Sequence, residues 1–180
     1  MSKIILVLGG ARSGKSSYAQ SLAEETGKSV TFIATAQALD EEMSARIQKH
    51  RAERSAEWAT LEVPLDIASH TQRIKSDVVI LDCITLLISN LLMQFVKDDF
   101  VDEPPFKLAV QKEIEELMGA IRSQKQGWII ISNELGLGLV PPYHMGRVYR
   151  DWLGWSNQRL AREADQVILM VAGIPIVIKE

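Results

Sequence analysis

The sequence holds one cysteine, Cys83, among 180 residues, so no disulfide can form within the chain. It also lacks a strong excess of either charge: 20 Lys and Arg stand against 23 Asp and Glu, for a formal net charge of −3. A chain so nearly balanced has no global field that would collect nucleic acid or an anionic membrane surface, so any anion must be gripped locally. Long apolar runs are missing too. The most apolar stretch, Val78 to Phe95, is broken by Asp82, Thr85, Ser89 and Asn90. Together these would cost on the order of several kcal/mol at a bilayer centre, so the stretch reads as a buried strand followed by a helix. No charged leader with a cleavage site precedes Ile4–Leu8, and there is no internal repeat or low-complexity linker. The expectation is a single domain over residues 1–180, working in the cytoplasm and without a membrane span.

With 47% hydrophobic residues the chain can bury a substantial core. Apolar runs bounded by turn residues recur at Ile4–Leu8, Val30–Ala34, Val78–Leu81, Trp128–Ser132 and Val167–Val171. Helix-length segments separate most of them: Lys15–Thr26, Leu39–Arg54, Leu65–Ile74, Thr85–Phe95, Pro105–Gln124 and about His144–Ala164. The alternation predicts an α/β fold with a mostly parallel sheet, and strands apolar along their whole length imply helices on both faces. A hairpin around Gly173 should add Ile174–Ile178 as an antiparallel C-terminal edge strand. The acidic, proline-containing stretch Lys97–Pro105 reads as a surface loop, either a solvated connection or a lid.

Gly9-Gly10-Ala11-Arg12-Ser13-Gly14-Lys15-Ser16 fits G-x-x-x-x-G-K-[ST] and lies between an apolar strand and a helix, the context that motif requires. Its glycines let the backbone curl so that N–H groups point inward, and the next helix presents the positive end of its dipole. Lys15 adds a cation for the β- and γ-phosphates, and Ser16 is a candidate magnesium ligand. This is the signature of a P-loop NTPase. Val78-Val79-Ile80-Leu81-Asp82 then ends an apolar strand in a carboxylate, where such enzymes hold the hydrated metal.

The segment Leu39–Arg54 carries a thin apolar stripe, Leu39, Met43 and Ile47, so it is expected to be exposed or to border a cleft. At the same spacing Arg46, His50 and Arg54 share one face. Cations on either side would keep the imidazole neutral and nucleophilic and could bind a triphosphate. A solvated charged helix with an incidental histidine accounts for the spacing as well.

These residues, followed by Ile33-Ala34-Thr35-Ala36, Asp40-x-Glu42-Met43-x-x-Arg46-Ile47-x-x-His50-Arg51-x-x-Arg54, Trp58, Glu62, Asn133-Glu134-x-Gly136-x-Gly138, Pro141, Arg150-Asp151 and Asn157-Gln158-x-Leu160-Ala161, give the chain a family likeness over nearly its whole length. It resembles the adenosylcobinamide kinase / adenosylcobinamide-phosphate guanylyltransferase family of cobalamin biosynthesis. The resemblance implies a RecA-like P-loop sheet, a homotrimer, Mg2+, and two reactions: phosphorylation of adenosylcobinamide by ATP or GTP, then transfer of GMP from GTP to the resulting phosphate through a guanylylated histidine. It places that histidine at His50 and extends the nucleotide site to Ile33, Ala34, Thr35, Arg51, Ala52, Glu53, Arg54, Glu62 and Asp82. Glu62 also has a physical rationale, since a carboxylate accepts from guanine N1–H and N2–H₂ together, a pattern adenine lacks. His70 and His144 match no motif and read as structural or surface residues; Trp152 and Trp155 read as packing residues. The rival reading is a P-loop small-molecule kinase without nucleotidyl transfer, which would form no guanylylated intermediate. A nucleotide-dependent switch is disfavoured because no Asn-Lys-x-Asp signature follows Asp82.

Overall fold

The computed structural model describes residues 3–38, 40–52, 54–98 and 100–180, with the backbone alone at Glu42 and Arg46. Leu39, expected to open a helix, and Glu53, expected in the nucleotide site, lie outside the described residues. In chain order the elements are β1 (Ile4–Gly9), α1 (Lys15–Glu25), β2 (Val30–Ala34), α2 (Glu41–Ala52), β3 (Ala59–Glu62), α3 (Ile67–His70, running into a 3-10 turn at Thr71–Arg73), β4 (Val78–Asp82) and α4 (Ile84–Met93). There follow β5 (Val96–Lys97), β6 (Phe100–Val101), α5 (Glu103–Arg122), β7 (Gly127–Ile131), α6 (His144–Glu163), β8 (Gln166–Val171) and β9 (Ile174–Lys179).

The main sheet has seven strands in the order β3-β2-β4-β7-β1-β8-β9. Every neighbouring pair is parallel except β8 with β9, which closes one edge as an antiparallel hairpin. This is the mostly parallel P-loop architecture that the alternating apolar runs predict. Side chains on each strand alternate between two cores because successive residues point to opposite faces. Leu6, Leu8, Ile33, Leu81 and Ile130 meet α4, α5 and α6 residues such as Leu87, Ile114 and Leu160. Val7, Phe32, Ile80, Ile129 and Ile168 meet Ala19 and Ala23 of α1. Burying each large aliphatic side chain is worth roughly 1.5–3 kcal/mol, and both faces of the sheet are covered.

One strand joins those expected, and two expected elements change. The sequence Ala59-Thr60-Leu61-Glu62 forms β3 on the sheet's open edge; its residues are mostly exposed, so it lacks the apolar run that marks the inner strands. The helix expected over Leu65–Ile74 is only one turn plus the 3-10 turn. Asp66 takes a left-handed φ of 54°, and the N–H groups of Asp66 and Ile67 both donate to the Glu113 carboxylate of α5, which pins the start of α3. The segment expected as a loop from Lys97 contains the small antiparallel pair β5–β6 before α5, whose first turn takes Pro104 and Pro105 at no cost in lost N–H donors. His70 is partly buried, while His144 stacks on Phe100 with centroids 4.3 Å apart and pairs with Glu103 at 2.9 Å. Trp152 and Trp155 pack against the core with ring centroids 5.6 Å apart, as expected. Among the described residues no helix is long and apolar enough to cross a membrane.

Candidate active site

Parallel strands deliver their C-terminal ends to one edge of the sheet, where open α/β folds form their crevices. There β1 turns into the phosphate loop, β4 ends in Asp82, and β2 hands over to Ala36 and α2. The loop needs glycine at two positions. Gly9 has φ 152°, and a Cβ there would stand 2.6 Å from the Met170 carbonyl oxygen; Gly14 caps α1 in the left-handed region with φ 94°. Lys15 folds back over the loop and donates to the Gly10 carbonyl at 2.6 Å. Burial, more than any charge nearby, lowers the Lys15 pKa, with Cys83 and Asp82 opposing.

Ser16 Oγ donates to Asp82 Oδ2 at 2.9 Å, joining the first turn of α1 to the end of β4. Burial raises the Asp82 pKa against the Ser16 hydrogen bond and the charges of His50, Arg54 and Lys15. Cys83, the next residue, has its thiol pushed up to about 12 by burial, so it is a poor nucleophile.

These groups border one cleft of about 520 Å³. Its floor is Ala11 to Ser16 with Asp82, and its wall is the inner face of α2, where Met43, Ile47 and His50 line it together. Arg51, Arg54 and Glu62 complete the rim, and Ala34 lies at the end of β2. Arg51 and Glu62 form an ion pair, each about half exposed. Arg54 lies beyond the end of α2, with its guanidinium 3.8 Å from the centroid of the Phe32 ring. Its Nε is buried without a hydrogen-bond partner, and burial is the main cause that lowers its pKa. The expected shared face Arg46–His50–Arg54 therefore changes: Arg54 reaches the cleft from the turn after the helix, and the Arg46 side chain lies outside the described residues.

Of the other predicted residues, Gly9 and Gly10 belong to the phosphate loop but do not line the cleft. Ile33, Thr35 and Ala52 do not line it. Ile33 is fully buried in the core, and Thr35 Oγ1 donates to the Cys83 carbonyl at 2.8 Å while accepting from the Cys83 N–H at 2.9 Å. Thr35 thus clamps the ends of β2 and β4 together. Sequence reasoning did not assign Ala36, Thr85, Leu86 or Asn133 to the site, although all four line it. Asn133 opens a matched motif; Thr85 and Leu86 only follow Asp82 by one turn of helix. A second cavity, about 490 Å³, opens at the opposite ends of the strands beside Lys3, Lys75 and Gly127, and holds none of the predicted residues.

A model of the cobinamide kinase / cobinamide phosphate guanyltransferase family matches residues 5–178. The bifunctional adenosylcobalamin biosynthesis protein CobU of Escherichia coli is 40% identical, over 98% of this chain and 99% of that protein. The corresponding CobP of Pseudomonas aeruginosa is 42% identical, over 97% of this chain and 96% of that protein. Among solved structures the RadB recombinase aligns with a TM-score of 0.49 at 12% identity, covering 93% of this chain and 73% of that one.

Proposed function

The chain belongs to the cobinamide kinase / cobinamide phosphate guanyltransferase family and carries both activities of that name, and on this premise we propose how its own residues perform them. In the first reaction the triphosphate of ATP or GTP lies on the inward N–H groups of Gly9–Ser16. Lys15 and Arg54 balance its charge; the unpartnered Nε of Arg54 is a donor without an acceptor until a phosphate arrives. The cobinamide hydroxyl attacks the γ-phosphorus, the bond from that phosphorus to the β,γ-bridging oxygen breaks, and the nucleoside diphosphate leaves.

The hydroxyl of Ser16 and the carboxylate of Asp82 offer hard oxygen donors in contact, a set that suits Mg2+. Among the described residues no group of three or more His, Cys, Asp or Glu could hold a metal ion, so Ser16 and Asp82 are the residues that would hold Mg2+. Bound there, Mg2+ would offset charge on the transferring phosphate.

In the second reaction His50 attacks the α-phosphorus of GTP through a ring nitrogen, expelling pyrophosphate and leaving a phosphoramidate. A phosphate oxygen of cobinamide phosphate then attacks the same phosphorus; the P–N bond breaks and His50 is regenerated. The observation that carries this reading is that His50, Lys15, Ser16 and Asp82 line one cleft. In this reading Glu62, which lies on the rim paired with Arg51, exchanges that pairing for the guanine edge. The same reading takes the protein as a cytoplasmic homotrimer. The test is to supply purified protein with cobinamide, MgCl2 and ATP or GTP, then with cobinamide phosphate and GTP. Cobinamide phosphate should form in the first assay, and cobinamide-GDP with equimolar pyrophosphate in the second; formation of neither would overturn the proposal.

A further inference from the structure

We infer that the surface loop 134–143 is the docking platform for the corrinoid acceptor: an apolar surface beside the phosphate end of the nucleotide cleft, on which the macrocycle rests while its hydroxyl reaches the γ-phosphorus. The inference rests on the kinase reading above and adds to it the place where the second substrate binds.

In the sheet β7 lies between β4 and β1, so the chain leaving β7 emerges between Asp82 and the phosphate loop. Asn133 lines the nucleotide cleft, and the next residue, Glu134, donates its N–H to the Gly9 carbonyl at 3.0 Å. The loop therefore starts against the phosphate loop itself.

Leu137 is 85% exposed, Leu139 96%, Val140 64% and Tyr143 74%, a run of apolar side chains turned to solvent. Contiguous apolar display of this kind marks a contact surface, because each such side chain forgoes the stabilisation that burial would give.

The backbone beneath these side chains is held at both ends. At its root the Asn133 N–H donates to Thr85 Oγ1 at 2.7 Å, and Asn157 Nδ2 donates to the Asn133 carbonyl at 2.9 Å. At its far end the Arg147 guanidinium donates to the carbonyls of Pro141 and Pro142, at 3.2 and 2.8 Å. Between them the Gly136 N–H donates to Glu134 Oε1 at 2.7 Å. A loop fixed at both ends binds without paying the full ordering cost.

The occupant follows from size and chemistry. A cleft of about 520 Å³ is the size of one small-molecule site, and the nucleotide takes it. A corrin macrocycle, wide and edged with methyl groups and amides, must then lie on the rim, against apolar side chains rather than among the charges of Lys15 and Arg54.

The experiment compares wild type with Leu137→Ser/Leu139→Ser and, as a milder variant, Leu139→Gln. Cobinamide and GTP affinities are measured by direct binding, KM for cobinamide by turnover, and native mass in solution. Both variants alter highly exposed side chains, so the core is untouched, and unchanged thermal midpoints verify this. The expected result is a cobinamide KM and dissociation constant raised at least about tenfold in the double variant, as apolar contacts are lost, with GTP affinity and mass retained. An unchanged cobinamide KM overturns the inference. So does a change in mass with cobinamide affinity intact, which would make the loop a contact between copies of the chain. If wild type binds cobinamide but does not phosphorylate it, the kinase reading fails, while the binding comparison still decides the role of the loop.

Discussion

Ser16 Oγ and Asp82 Oδ2, 66 positions apart in the chain, lie 2.9 Å from each other on the floor of the cleft. The contact brings the end of the phosphate motif to the end of β4 and holds a partly buried Asp82 carboxylate at the cleft.

Asp82→Asn keeps an oxygen to accept from Ser16 and removes the charge. Because burial raises the Asp82 pKa in the folded protein, the ionised carboxylate costs stability, and that cost appears as pH rises through the folded-state value. The variant is expected to be more stable than wild type without nucleotide, by about 1 kcal/mol, with a larger gain at pH 8 than at pH 5. Cobinamide phosphorylation should fall at least about a hundredfold. Thermal midpoints at the two pH values and kcat are the measurements.

Lys15→Ala should abolish both transfers while leaving the thermal midpoint nearly unchanged. Its ammonium is buried, so removing it relieves a desolvation cost that offsets the lost hydrogen bond to the Gly10 carbonyl. A loss of at least about a hundredfold in kcat for each reaction is expected. Normal turnover would reject the phosphate-loop assignment.

Glu62→Gln replaces one acceptor with a donor facing guanine N–H groups, so the kcat/KM preference for GTP over ATP should shrink about tenfold. The ion pair with Arg51 is half exposed and worth less than about 1 kcal/mol, so stability should hardly move. An unchanged nucleotide preference would remove Glu62 as the base reader.

Glu113→Ala should destabilise the fold by about 2 kcal/mol and spare activity, because it leaves the Asp66 and Ile67 N–H groups without their acceptor. Chemical denaturation measures it; a change below about 0.5 kcal/mol would contradict the role of this carboxylate as the cap of α3.

The phosphate loop, Asp82 and the inner strands were legible because their signals are local: glycine order, a terminal carboxylate and uninterrupted apolar runs. β3 was not, since an edge strand of mostly exposed residues carries no such run. The start of α3 is held by Glu113, far along the chain, which no local pattern announces. The stripe Met43–Ile47 correctly marked a helix bordering a cleft. Extending helical spacing to Arg54 went too far, because the helix ends at Ala52 and Arg54 reaches the cleft by stacking on Phe32. Thr35 was assigned by resemblance, and its hydroxyl is spent on the Cys83 backbone.

If the two activities use one cleft but only the second needs an enzyme nucleophile, His50→Ala should separate them. One preparation is assayed beside wild type for cobinamide phosphate, for cobinamide-GDP, and for protein-bound label from α-labelled GTP. The expected result is phosphorylation kept within about tenfold, or about 1.4 kcal/mol of barrier, with guanylyl product and covalent label both lost. Cobinamide-GDP formed by His50→Ala at the wild-type rate would contradict the account.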